Sequence, residues 1–302
     1  MTGSVATAAQ LGQSRKSRWS LRTVALVYLT LLLVLPVIGI FFEAISYGIG
    51  TAIDAVTTPE AQHAFYLTIV MCLVAVPLNT VFGVLTALVL VRHDFRGKAF
   101  LNGLIDLPFA ISPVVIGLAL VLIYGPRDSF IGEWFFEQGI QIIFHPIGMA
   151  IATMFVSLPF VVREVEPVLR EIGTDQEEAA STLGANGWQT FWKITLPAIR
   201  WGVTYGVVLA TARALGEFGA VSVVSNNVAG ETETVPLFVA RQYELLGDNV
   251  AGAYAASIVL AIMALITLFS MNMIRRRDKV ADTPTTIAVA SGVAEKPKEE
   301  EA

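Results

Sequence analysis

Residues 177–200 read EEAASTLGANGWQTFWKITLPAIR, polar and charged at the start, broken by two glycines, then rich in aromatics and closed near a proline. The stretch sits between two apolar segments of a 302-residue chain that is 55% hydrophobic and only 15% charged. With a mean hydropathy of +0.66, the class is an integral membrane protein rather than a pair of soluble domains. The net charge of -5 is largely a matter of Glu295, Glu299, Glu300 and Glu301, which lie in a tail beyond the last apolar run. The single cysteine, Cys72, lies inside an apolar run, so the chain can build neither a disulfide nor a cysteine metal cluster.

Working outward, uncharged runs of the length needed to cross a bilayer occur at 24–42, 64–91, 107–126 and 250–274. A fifth, 140–162, begins its true span at His145 and Pro146. A sixth, 201–225, is interrupted by Arg213 and Glu217 but otherwise has the composition of a helix in lipid or in a bundle. The expectation is an all-α polytopic membrane protein with six transmembrane helices, at about 24–42, 64–91, 104–126, 146–162, 201–225 and 250–274. These form one six-helix domain, 21–274, between an N-terminal arm, 1–20, and a disordered cytoplasmic tail, 275–302. The first run is long enough to span and lacks a small-x-small cleavage site, so it is expected to stay as a membrane helix.

Lys and Arg set the orientation. Arg15, Lys16, Arg18 and Arg22 precede the first span, and Arg92, Arg96 and Lys98 separate the second from the third. Arg163, Arg170, Lys193 and Arg200 lie between the fourth and fifth, and Arg275, Arg276, Arg277 and Lys279 follow the sixth. The other loops hold Arg127 and Arg241 against many acids, including Asp54, Asp128, Glu133, Glu137, Glu231, Glu233 and Asp248. Both termini are therefore expected in the cytoplasm, and so is the loop 174–200.

Within that loop, Thr174 and Glu177 fit a capping box that starts a short helix at Asp175 and runs to about Leu183. Ala179 and Ala180 give it a small-residue patch, and Gly184 supplies the left-handed residue that ends it. Trp188, Phe191, Trp192 and Thr195 then recur at spacings of three and four, an apolar stripe on one face of a second helix. Pro197 restarts the chain toward the fifth span. An interfacial helix would call for a basic polar face, where only Lys193 supplies charge, and a plain connector needs no second helix. A docking element for a groove on a cytosolic protein accounts for all these features together.

These residues carry a resemblance. Glu178, Ala179 and Ala180, then Gly184, and later Ile194, Leu196 and Pro197 reproduce the E-A-A, G, I-x-L-P pattern of permease subunits of ABC importers. LIDLPFAISPVVIGLALVLIYG, 104–125, ARALGEFGAVSVVSN, 212–226, and GETETVPLFV, 230–239, resemble the sulfate and molybdate permeases, in particular the W-type subunit of sulfate/thiosulfate importers. The resemblance implies a type I (MetI-like) architecture in the bacterial cytoplasmic membrane, with the loop seated in a cleft of an ATPase. It implies as partners two copies of that ATPase, a T-type permease as heterodimer partner, an extracytoplasmic sulfate-binding protein and membrane lipid. Composition and spacing do not separate sulfate from molybdate, tungstate or phosphate. No G-x-x-x-x-G-K-[ST] loop occurs in the chain, so ATP is expected to be hydrolysed by the partner, with no cofactor here and no nucleic-acid partner.

Arg213 and Glu217, four residues apart, are expected on one face of the fifth helix. Arg213 falls roughly 18 Å from Trp201, near the middle of the bilayer. A lone charge there costs at least about 2.5 kcal/mol, so the two should pair and face protein or water. Two roles stay open: an ion pair that fixes the bundle, or an anion path in which Arg213 lowers the barrier and Glu217 limits affinity. Asp106, Pro108, Ser112 and Pro113 form a broken-helix signal in the third span, either a gating kink beside the path or a packing kink. Asp106 is expected as a cap or helix contact rather than a proton carrier. His63, His93 and His145 lie apart and make no metal set. Trp134, Phe135 and Phe136 suit an aromatic belt, and the 230–239 loop either meets a binding protein or is solvated. Rival classes are a membrane enzyme using Arg163, Glu164, Glu166 or Glu217, which lacks a nucleophile and base set, and a proton-coupled carrier with Glu217 as relay, for which no internal repeat is evident.

Overall fold

The computed structural model describes residues 15–127, 129–245 and 250–281. The first fourteen residues, Asp128, Asp248 and the acidic tail beyond Ala281 lie outside the described residues. Fourteen α-helices follow in order among the described residues. α1 (Arg15–Leu29) passes through a π turn (Thr30–Val34) into α2 (Leu35–Ser46), followed by α3 (Ile49–Val56) and α4 (Pro59–Arg92). Next come α5 (Lys98–Ala110), α6 (Pro113–Tyr124), α7 (Phe130–Glu137) and α8 (Pro146–Ile172). The loop element is α9 (Asp175–Thr182) and α10 (Gly187–Thr190), a second π turn (Phe191–Thr195) leads into α11 (Leu196–Leu215), and α12 (Gly219–Val224), α13 (Val235–Glu244) and α14 (Val250–Ala281) complete the chain.

Among the described residues, five helical stretches are long and apolar enough to cross a membrane, and α5 with α6 makes a sixth if the pair, bent by 116°, counts as one span. The core is α4, α8 and α11. Half of the apolar window of α8 is buried, against none for the first span, which is left to lipid or another subunit. Small residues bring the backbones together. A Cβ on Gly83 of α4 would lie 2.7 Å from Val161 Cγ1, and one on Gly206 of α11 would lie 2.8 Å from Val161 Cα. Val161 of α8 is thus held between two glycines, the close approach by which helices gain dispersion contacts where lipid supplies no hydrophobic drive. Asn79 adds polar adhesion, its Nδ2 donating to Met154 O at 2.9 Å and to Ser157 Oγ at 2.8 Å.

Several expected boundaries move. α4 begins at Pro59 because the Thr58 hydroxyl accepts from Ala61 N at 3.2 Å and proline suits the first turn. α8 begins at Pro146, with His145 Nδ1 accepting from Ile147 N, but it runs ten residues past 162 to Ile172 because Arg163, Glu166 and Arg170 find ionic partners there. The third span is two helices rather than one kinked helix, and its first half begins at Lys98. The fifth ends at Leu215, not near 225, where Gly216 breaks it and α12 starts afresh. It also begins earlier. Pro197 does not restart the chain, since Gly187–Leu215 is one 29-residue helical stretch. The π turn gives the reason: Leu196 N–H donates to Phe191 O, one residue farther back than in an α-helix, which makes room for the proline ring. α1 starts at Arg15, inside the expected arm, and α14 continues to Ala281, into the expected tail.

Candidate functional site

The loop joining α8 to α11 folds as two helices about a tight turn. Gly184 has φ +84°, its N–H donates to Ser181 O at 3.0 Å, and Ala185 N–H donates to Ala180 O at 3.0 Å. That pair of bonds satisfies the last carbonyls of α9 and requires a left-handed residue at Gly184. The expected capping box at Thr174 and Glu177 is absent. Thr174 Oγ1 donates instead to Glu178 Oε1 at 2.7 Å, because Glu177 is drawn away to Arg92, whose Nε lies 3.0 Å from its Oε2. A capping box does occur, at Asn186 and Gln189, where each side chain accepts from the other's backbone N–H. The N-G-x-Q spacing held that signal, which the sequence reading passed over.

The surface of the loop divides sharply. Ala180 is buried and Ala179 exposed, so the expected two-alanine patch is split between the protein's interior and its outside. The aromatic stripe is split as well. Phe191 packs on the core with Leu196, and Thr195 is 4% exposed, whereas Trp188 is 72% exposed and Trp192 is also open. Leu183, just before the turn, is 88% exposed. Glu178 and Pro197 face outward, and Ile194 is half-buried. One side of the element is therefore seated in the helix bundle, and the other presents Glu178, Leu183, Trp188 and Trp192 outward.

The second group lies at the two helix breaks. Glu217 falls in the break after Leu215, one residue past the helix-ending Gly216, rather than on the helix face shared with Arg213. The pair forms nonetheless, with Arg213 Nη1 2.6 Å from Glu217 Oε2. Glu217 Oε1 also accepts from Ala220 N at 2.8 Å, a carboxylate on the first turn of α12, where the helix dipole favours it. Glu217 is 3% exposed, while Arg213 remains partly open. The third-span break comes alongside: a Cβ on Gly219 would lie 2.9 Å from Pro113 Cβ, and one on Gly117 would lie 2.7 Å from Ala220 O. Pro113 is half-buried and Ser112 exposed, its hydroxyl making no cap bond. The breaks at Ile111–Ser112 and Gly216–Phe218 are thus brought side by side by the packing of α12 on α6, an association that sequence order does not reveal.

Residues 79–279 match the family described as binding-protein-dependent transport system inner membrane component. This chain belongs to that family. The sulfate transport system permease protein CysW of a Synechocystis strain is 51% identical over 88% of this chain and 96% of its own length. CysW of Escherichia coli is 45% identical over 86% of this chain and 88% of its own length, and CysT of the same organism is 38% identical over 84% and 90%. Among solved structures, a bacterial alginate ABC transporter in complex with an alginate pentasaccharide-bound periplasmic protein aligns over 89% of this chain and 98% of its own, with TM-score 0.70 and 20% identity. That likeness shows a shared fold.

In this permease two further charged groups join segments of the fold. Arg163 Nε donates to Asp106 Oδ1 at 2.8 Å and Nη1 to Asn102 Oδ1 at 3.3 Å, joining α5 to α8. Arg163 also pairs with Glu166, which accepts from Arg170 Nη2 at 2.8 Å. Asp106 is a helix-to-helix contact, in line with its expected role. Arg163 and Glu166, named for the enzyme alternative, are engaged in this network. Glu233 is fully buried and meets Arg241 Nε at 2.6 Å and Nη2 at 3.0 Å, so it neither faces solvent nor awaits a partner. Donating these bonds to the Glu233 carboxylate raises the Arg241 guanidinium pKa above its ordinary value. Phe135 packs inward on Tyr124, while Phe130, Trp134 and Phe136 are exposed.

Proposed function

We propose that the chain is the W-type permease subunit of an ATP-driven sulfate importer, with a T-type permease as its partner. Two copies of an ATPase would bind ATP, and an extracytoplasmic sulfate-binding protein would deliver the anion. The observation that carries the proposal is the 51% identity to a CysW protein across 96% of that protein's length. The W-type role is favoured because, within Escherichia coli, CysW is more similar at 45% than CysT at 38%. Both termini lie in the cytoplasm, as the Lys and Arg placement argues.

In this reading the outward side of 177–197 seats on the ATPase. Leu183, Trp188 and Trp192 offer apolar anchors, Glu178 a charge, and Gly184 the turn that sets the angle between the two helices. Its inward side, Ala180, Phe191 and Thr195, passes the ATPase's displacement into α11. Because Gly187–Leu215 is one helical stretch, a movement at Trp188 reaches the break beside Arg213 through a stiff element. There Arg213, held by Glu217 yet partly open, presents a muted positive charge to a passing dianion, enough to lower the barrier without trapping the ion. Ser112 and Pro113, at the apposed break, complete the wall of the path.

The test is uptake of radiolabelled sulfate into proteoliposomes that hold this chain with the second permease, the ATPase and the binding protein. ATP-dependent uptake, blocked by excess sulfate or thiosulfate, is expected. Preferential competition by molybdate, tungstate or phosphate would reassign the anion, and uptake driven by a proton gradient without ATP would overturn the importer reading.

A further inference from the structure

We propose that Glu177 is a positioning residue that, with Arg92 and Thr195, clasps the ATPase-facing loop to three membrane helices, so that the loop moves only with them. The inference rests on the importer reading above and concerns a residue outside the motif that suggested it.

Glu177 precedes the E-A-A triplet by one position, and that one position changes its surroundings entirely. Glu178 is exposed and bonded to Thr174, whereas Glu177 turns inward. Its Oε1 accepts from Arg92 Nη2 at 3.2 Å and from Thr195 Oγ1 at 2.8 Å, and its Oε2 lies 3.0 Å from Arg92 Nε. Arg92 is the last residue of α4, and its fork is shared. Nη1 donates to Leu169 O at 3.1 Å and Nη2 to Gly173 O at 2.7 Å, closing carbonyls at the end of α8. A guanidinium there also meets the negative end of that helix. Thr195 belongs to the π turn that leads into α11. One carboxylate thereby connects α9 to the end of α4, through Arg92 to the end of α8, and through Thr195 to the start of α11.

The clasp is well sheltered: side-chain exposures are 13% for Arg92 and 21% for Glu177, and Thr195 is buried. Charge-assisted bonds are shorter and stronger than neutral ones, and in such a setting they are less screened than at an open surface. Apolar packing alone leaves α9 free to rock, since its inward face supplies little more than Ala180. The polar clasp removes that freedom. A push on the exposed face is then delivered to α4, α8 and α11 together rather than absorbed in the loop.

Two measurements on the intact importer test this. The first is ATP hydrolysed per sulfate imported in proteoliposomes. Thr195→Val, which keeps the side-chain volume and the Arg92–Glu177 pair, and Glu177→Gln should each raise that ratio about fivefold in transporters assembled at wild-type level. Thr195→Ser should restore it. A purely structural role would lower assembly and leave the ratio of the assembled fraction unchanged, and that result overturns the proposal. The second is amide hydrogen exchange of residues 175–190 in the purified complex, which reads the clasp without transport. Faster exchange is expected in Thr195→Val, and unchanged exchange also overturns the proposal. A wild-type importer that fails to take up sulfate counts against the importer reading alone, because the exchange measurement still decides the clasp.

Discussion

The Arg92–Glu177 and Arg213–Glu217 pairs use the same two residue types at close range, yet they sit in opposite kinds of surroundings. At the loop end, Arg92 is the enclosed partner, its fork divided among Glu177, Leu169 O and Gly173 O. At the helix breaks the burial is reversed: Glu217 is enclosed and tied to Ala220 N, and Arg213 remains partly open. An arginine surrounded by carbonyls and a carboxylate is a fixed joint. An arginine fixed from one side by a buried carboxylate keeps charge for something that passes.

Breaking the second pair from its buried side should have the largest effect. Glu217→Ala leaves Arg213 without its partner and Ala220 N without an acceptor, a loss of about 3 kcal/mol or more, measured as a lower thermal midpoint and yield of the purified complex. Arg213→Gln should behave differently, since the amide can still donate to Glu217. Assembly stays intact and sulfate uptake falls about tenfold, or about 1.4 kcal/mol in the barrier. Loss of the folded complex instead would make the pair structural and remove the contrast with Arg92. A third substitution separates turn from anchor. Gly184→Val, at φ +84°, strains the backbone by about 1–2 kcal/mol and should raise ATP hydrolysis per sulfate while leaving the six-helix body folded. Trp188→Ala should have the smallest effect on the fold, within about 0.5 kcal/mol, yet weaken ATPase association by about 1–2 kcal/mol, measured by co-purification under increasing salt.

The sequence exposed the parts of this molecule that depend on local pattern. Apolar length points to the membrane segments but not to their ends, while Pro146 and His145 mark the start of α8 and Gly184 signals its turn through the need for a left-handed residue. What it hid depends on contacts between segments far apart. Local spacing suggests a cap for Glu177 because Arg92, the competing partner, lies 85 positions away. The aromatic spacing identified a helix face but not that Phe191 and Thr195 turn inward while Trp188 and Trp192 turn outward. Pro197 suggests a restart because the π turn that accommodates it has no simple residue signature. Spacing brings Arg213 and Glu217 together, as the structure does, but it does not reveal the break at Gly216, packed through Gly219 on Pro113, that takes Glu217 off the helix.

In the proposed importer, one face of the 177–197 loop meets the ATPase and the other is locked into the helices. Single cysteines at Leu183, Trp188 and Thr195, in a chain whose own Cys72 is buried, can be tested for cross-linking to cysteines introduced around the ATPase cleft in the intact importer. Cross-links are expected from positions 183 and 188 and none from 195. Cross-linking from 195 with none from 183 or 188 would contradict this two-faced arrangement.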